Sequence, residues 1–151
     1  MAIAAIALGS NLGASAETIA QAVRALHSLG TVLAVSPLML TAPVGYADQP
    51  DFLNGAALLQ TERSPVDLLH ALLRIEHEHG RDRSHGIVKG PRTLDLDLLL
   101  YDDVVLQTQE LTLPHPEMHA RRFVLEPLAA IAPDMVHPVL QQTVLQLLHA
   151  L

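Results

Sequence analysis

Residues 93–98 read Thr93-Leu94-Asp95-Leu96-Asp97-Leu98, an alternation with the period of two that an extended strand imposes, because successive side chains leave opposite faces. Leu94, Leu96, Leu98 and Leu100 predict one core-facing side for a strand over 94–101, and Asp95 and Asp97 predict the other side. Strands disfavour aspartate, and two adjacent carboxylates repel, so holding both ionised calls for a cation or for full solvation. Magnesium meets that need, since it takes hard oxygen ligands and is commonly held by one or two carboxylates together with substrate phosphates. The competing reading is an exposed strand face with two solvated aspartates.

Immediately upstream, residues 81–91 have loop composition and carry Arg81, Arg83 and Lys89, with Arg92 following. Guanidinium groups present planar forked donors to phosphate oxygens; taken singly, each cation reads equally well as a surface ion-pair partner. The concentration is notable in a chain of 9 Lys and Arg against 16 Asp and Glu, net charge -7. That balance argues against a nucleic-acid surface, which usually needs a basic face. Arg121 and Arg122 form a second cationic pair.

Further out, Ser64-Pro65 announces a helix as N-cap and first-turn residue, ending by Gly80. Its stripe runs Leu68, Leu69, Leu72, Leu73 and then Glu76, a carboxylate where another apolar residue is expected. Residues 1–8 form an apolar strand closed by the turn Gly9-Ser10-Asn11-Leu12-Gly13. Ser15 caps a helix whose stripe is Ile19, Ala22, Val23, Leu26 and Leu29, with Gly30 as its stop. Strands follow at 31–36 and 52–61, separated by a proline-containing loop over 41–50 of the kind that often carries function. Downstream, 104–113 predicts a short hairpin partner, 118–130 an amphipathic helix and 141–151 a weaker one.

Strand, helix, strand, strand, helix, strand, then accessory C-terminal elements: this order predicts an α+β fold, a ferredoxin-like βαββαβ sandwich whose antiparallel sheet is covered by helices on one face. A length of 151 residues suits a single domain, 1–151. No apolar run approaches the ~20 residues of a membrane span, and the chain has no cysteine, so a soluble cytoplasmic protein is expected. Nine histidines raise zinc as a weaker alternative. His77 and His79 would leave a helix in different directions, and only His115 and His119 have i, i+4 spacing.

Five strings occur in order: Leu8-Gly9-Ser10-Asn11-Leu12-Gly13, Pro50-Asp51-Phe52-Leu53-Asn54, Gly90-Pro91-Arg92-Thr93-Leu94-Asp95-Leu96-Asp97, Leu113-Pro114-His115-Pro116 and Arg121-Arg122-Phe123-Val124-Leu125. Together they resemble the 6-hydroxymethyl-7,8-dihydropterin pyrophosphokinases of folate biosynthesis, over nearly the whole chain. The resemblance implies that a pterin hydroxymethyl oxygen attacks the β-phosphorus of ATP, with two magnesium ions bridging the phosphates, in a monomer. It implies Asp95 and Asp97 as metal ligands. Arg81, Arg83, Arg92, Thr112, His115 and Arg121 fall on the ATP side, with Glu76 beside them. The resemblance further implies that Asp95, Asp97, Arg81, Arg92 and His115 carry the chemistry and that Thr41, Pro43, Val44, Phe52, Asn54 and Phe123 form the pterin pocket.

Phe52 and Phe123 are the only phenylalanines, and the resemblance places them on the two faces of a flat heterocycle, where stacking adds about 0.5–1.5 kcal/mol per aromatic pair beyond area burial. Asn54 shares the strand face of Phe52 by period two, and its amide matches the donor and acceptor edge of a pterin. The chain also departs from the family pattern. Val88 and Lys89 stand where an Arg-Trp pair is common, Glu110 replaces a basic position, and Leu73 replaces a polar one. Two rival functions share the same residues: a metal-dependent phosphohydrolase or nuclease, and a non-catalytic ligand-binding module.

Overall fold

The computed structural model of the chain describes residues 1–11, 15–41, 52–79 and 94–151. The central strand β1, Ala2–Ser10, pairs antiparallel with β4, Phe52–Thr61, on one side and with β5, Asp95–Tyr101, on the other. Strands β2, Thr31–Val35, and β3, Met39–Thr41, both pair with β4, giving the order β2-β4-β1-β5 with β3 beside β4. Helix α1, Ser15–Leu26, leads from β1 to β2, and α2, Pro65–His79, leads from β4 to β5. Ser64 starts α2 as its sequence position predicts, its Oγ accepting a hydrogen bond from Asp67 N at 3.2 Å.

One sheet face carries the larger aliphatic core. Ile6 and Leu8 of β1, Leu59 of β4 and Leu94, Leu96 and Leu98 on and before β5 pack against Ile19, Leu26, Leu68 and Leu72 of the two helices. Gly30 is required where the chain returns from α1, because a β-carbon there would lie 2.1 Å from the Gln60 carbonyl oxygen. Its constraint is thus close approach to β4; the helix itself has already ended at Leu26.

The second face corrects the expectation of helices on one side only. Helices α3, Arg122–Ile131, and α4, Val144–His149, cover part of it, where Leu125, Leu128 and Leu147 pack with Ala5, Ala56, Leu99 and Leu100. Leu100 therefore does not share the side of Leu94, Leu96 and Leu98. The β1–β5 register slips between Ala5 and Ile6, with Ala5 opposite Leu100 and Ile6 opposite Leu98, and such a bulge re-aims the side chains beyond it.

The helix expected over 118–130 is two pieces, a 3-10 turn Met118–Ala120 and α3, because Arg121 between them is extended at φ -116 and ψ 104. Residues 104–113 contain a self-paired hairpin, β6 Leu106–Gln107 with β7 Thr112–Leu113, separate from the main sheet. The helix expected over 141–151 begins only at Val144, behind a hairpin of β8 Val136–His137 and β9 Gln142–Thr143. Thr143 caps α4 through a capping box with Gln146. The predicted loops over 42–50 and 81–91 lie outside the described residues. Among the described residues no helix is long and apolar enough to cross a membrane.

Candidate active site

Strand register assembles the site floor. Gly9 of β1 lies between Asn54 of β4 and Asp95 of β5, and Ala7 lies between Ala56 and Asp97. The β1 residues on this face are small, so the floor stays low beyond the area covered by α3. The resulting cavity of about 510 Å³ is lined by Ala7, Gly9, Thr41, Phe52, Asn54, Asp95, Asp97, Arg121 and Phe123, among others. Asn54 is buried, and its Nδ2 donates to Thr41 Oγ1 at 2.6 Å. That contact fixes the amide plane and leaves a second Nδ2 hydrogen and Oδ1 to serve a ligand edge. The Arg121 guanidinium lies 5.7 Å from the Phe123 ring centroid and pairs with Glu117.

A second cavity, about 420 Å³, is lined by Leu69, Leu73, Glu76, Asp97, Glu110, Thr112 and His115, among others. Asp97 is among the lining residues of both cavities, which places them on either side of one strand position. Glu76, the carboxylate that interrupts the α2 stripe, is 4% exposed and its Oε2 accepts a hydrogen bond from Leu96 N at 2.7 Å. A buried carboxylate demands such partners, and this one ties α2 to the strand bearing both aspartates.

His115 is held from both directions. Its backbone N donates to Leu99 O at 2.9 Å, and its Nδ1 accepts from Glu117 N at 3.2 Å. Burial pushes its pKa below the ordinary 6.5; Asp97 opposes the shift, the Arg121 charge reinforces it, and Glu117 opposes it. Burial thus favours the neutral ring, and with Nδ1 accepting from Glu117 N the proton of that form sits on Nε2.

The structure thus brings together Thr41, Phe52, Asn54, Phe123, Asp95 and Asp97 in one cavity, and Glu76, Thr112, His115 and Asp97 in the other. Arg121, assigned by resemblance to the ATP side, lines the first cavity, although its charge reaches His115. Arg81, Arg83, Arg92, Pro43 and Val44 lie outside the described residues. His119 does not join His115; its ring meets His137 edge-on at 6.4 Å between centroids. Sequence reasoning missed Ala7 and Gly9 as the floor, Arg122 and Val124 as wall, and Leu69 beside the second cavity. The signal for the floor was present in Ala5-Ile6-Ala7-Leu8-Gly9, small residues alternating with large ones. Paired hard-oxygen donors on one strand face, both lining the first cavity, fit magnesium.

Residues 5–133 match the family described as 7,8-dihydro-6-hydroxymethylpterin-pyrophosphokinase. The chain is 50% identical over 135 residues to 2-amino-4-hydroxy-6-hydroxymethyldihydropteridine pyrophosphokinase of Pseudomonas aeruginosa, covering 88% of this chain and 82% of that protein. The enzyme of the same name from Haemophilus influenzae is 45% identical over 140 residues, 91% of this chain and 86% of that one. Folic acid synthesis protein fol1 of Schizosaccharomyces pombe is 47% identical over 142 residues, but the chain spans only 19% of that longer protein. In fold, the chain matches Plasmodium falciparum HPPK-DHPS with a TM-score of 0.75 at 17% identity, over 99% of this chain and 43% of that one. These matches define an enzyme of the pyrophosphokinase class. The chain belongs to the 7,8-dihydro-6-hydroxymethylpterin-pyrophosphokinase family.

Proposed function

We propose that this chain transfers the pyrophosphoryl group of ATP to 6-hydroxymethyl-7,8-dihydropterin, with the pterin in the first cavity and ATP in the second. The supporting observation is the shared wall: Asp97 lines both cavities, so groups bound in each would meet beside it. The pterin hydroxymethyl oxygen attacks the β-phosphorus of ATP. The bond from that phosphorus to the α–β bridging oxygen breaks, AMP leaves with the bridging oxygen, and the hydroxyl proton passes to water.

Phosphoryl transfer asks the protein mainly for position and charge stabilisation. Phe52 and Phe123 bracket the pterin ring, and Asn54, oriented by Thr41, reads its edge. Asp95 and Asp97 would hold magnesium, two ions on this reading. Bound there, magnesium supplies charge neutralisation on the phosphates and polarises the oxygens around the reacting phosphorus. The Nε2–H of neutral His115 donates to a phosphate oxygen, with the Thr112 hydroxyl beside it. Arg81, Arg83, Arg92 and Arg121 contribute cationic donors to the phosphates. The strand order β2-β4-β1-β5, with a helix after β1 and after β4, supports a ferredoxin-like arrangement. One domain acting as a monomer in the cytoplasm completes the reading.

The test is a product assay on the purified protein with ATP and magnesium, with and without the hydroxymethylpterin. AMP and the pterin diphosphate should form in equal amounts and only when both substrates are present. Phosphate release at the same rate without the pterin would replace this reading with hydrolysis.

A further inference from the structure

The sheet edge beside the first cavity changes register part-way along. Ala34 and Val35 of β2 lie opposite Leu58 and Ala57 of β4. Carried on unchanged, that pairing would set Leu38 opposite Asn54 and Leu40 opposite Phe52. Met39 and Thr41 of β3 stand there instead. Ser36, Pro37 and Leu38 thus span the stretch that Gly55 and Ala56 span on β4, a bulge of one extra residue. Directly opposed residues share a sheet face, and a one-residue slip exchanges the faces. The extra residue is what turns Thr41, in place of Leu40, to the face of Phe52 and the cavity.

Ser36 holds the bulge open. In a regular antiparallel ladder a hydrogen-bonded pair exchanges both backbone bonds. Ser36 N donates to Ala56 O at 2.8 Å, as such a pair requires. The return bond, from Ala56 N, ends on Ser36 Oγ at 2.8 Å. The side chain thereby stands in for the backbone carbonyl, and its own proton goes to Pro37 O at 2.9 Å. Pro37 has no N–H to pair, so the chain leaves the ladder there without losing a donor. Leu38 turns its tip over Gly55, Cδ2 lying 2.6 Å from where a β-carbon would stand. The bond is buried and Ser36 is 5% exposed, so the Ala56 N–H depends on that hydroxyl.

We infer, on the reading that the pterin occupies the first cavity, that Ser36 is a positioning residue for pterin recognition: its hydroxyl fixes the bulge that delivers Thr41 Oγ1 to the Asn54 amide, 2.6 Å away. Steady-state kinetics on Ser36→Ala, Ser36→Thr, Thr41→Val, the Ser36→Ala/Thr41→Val double variant and a deletion of Pro37 test this, with urea melts certifying the folds. Ser36→Ala should raise KM for the pterin roughly tenfold, the consequence of a buried donor left without its acceptor. KM for ATP should stay within about twofold. Ser36→Thr keeps the hydroxyl and should restore most of the loss. Ser36→Ala should add little to Thr41→Val, because both act through the same amide. Deletion of Pro37 removes the extra residue outright, should raise the pterin KM at least as much, and carries the test should Ser36→Ala not fold.

A folded Ser36→Ala or Pro37-deleted chain with the wild-type KM for the pterin overturns the inference. So do additive effects of Ser36→Ala and Thr41→Val, or equal rises in KM for both substrates, which mark a general loss of structure. Asn54→Ala keeps the underlying reading separate. If it leaves KM for the pterin unmoved, the pterin lies elsewhere and the role of Ser36 falls with that reading. If it raises that KM while Ser36→Ala does not, only the role of Ser36 falls.

Discussion

Strand β1 presents Ile6 and Leu8 to one side of the sheet and Ala5, Ala7 and Gly9 to the other, and the two sides have opposite uses. On the first side, large aliphatic residues meet α1 and α2 and exclude water. On the second, the same strand withholds volume, so Asn54, Asp95 and Asp97 from its neighbours stand around a hollow. Stability and site are therefore carried by alternate residues of one strand, and substitutions on the two faces should fail in different ways.

The largest effect is expected on the site face. Asp97→Ala should lower kcat roughly a thousandfold or more, because metal-supported charge stabilisation amounts to several kcal/mol. Its urea midpoint should move far less than that of a core variant, since Asp97 belongs to neither aliphatic cluster. A fall in kcat below tenfold would break the assignment of Asp97.

On the opposite face, Leu59→Ala should cost about 2–5 kcal/mol of unfolding free energy by leaving a cavity against α1 and α2. Activity per folded molecule should stay within about twofold. Chemical denaturation and an active-site titration read both quantities, and a stable but inactive variant would erase the division between faces.

A smaller effect sharpens the boundary between the cavities. Ala7→Leu fills the floor of the first cavity alone, and overpacking of about 1–3 kcal/mol corresponds to roughly tenfold or more in KM for the pterin. KM for ATP should move far less; equal rises for both substrates would show that the two cavities are not separate sites.

The smallest effect is a pH dependence. Burial lowers the His115 pKa in the folded chain below the unfolded value of 6.5. The unfolded state then binds more protons between those two values, so the contribution of this group is present above pH 6.5 and is lost as pH falls through the folded pKa. Unfolding free energy should fall more for wild type than for His115→Gln between pH 7.5 and acidic pH. A parallel decline in both proteins would count against the buried, neutral ring.

The strands at 31–35, 52–61 and 95–101 and helix α2 are legible in the sequence because their signals are local: period-two alternation, β-branched residues and a Ser-Pro start. That Asp95, Asp97, Phe52, Asn54 and Phe123 line one cavity was legible through alternation and the family strings together. Features that depend on distant packing were not. The bulge that turns Leu100 to the second face requires the partner strand β1. The break at Arg121 interrupts an amphipathic pattern that local propensity alone would continue. The coverage of the second face by α3 depends on Ala5 and Ala56 leaving room, a property of several strands at once.

Strand β5 bears both aspartates and lies at the end of the sheet. An uncovered sheet border offers N–H and C=O groups to any passing extended chain, a common origin of aggregation. Here the Leu96 N–H is taken by the buried carboxylate of Glu76, and the Leu99 carbonyl by the backbone N of His115. The contacts that seat two residues of the second cavity also blunt that border. Glu76→Ala should therefore be judged by its solubility at high concentration as well as by its turnover.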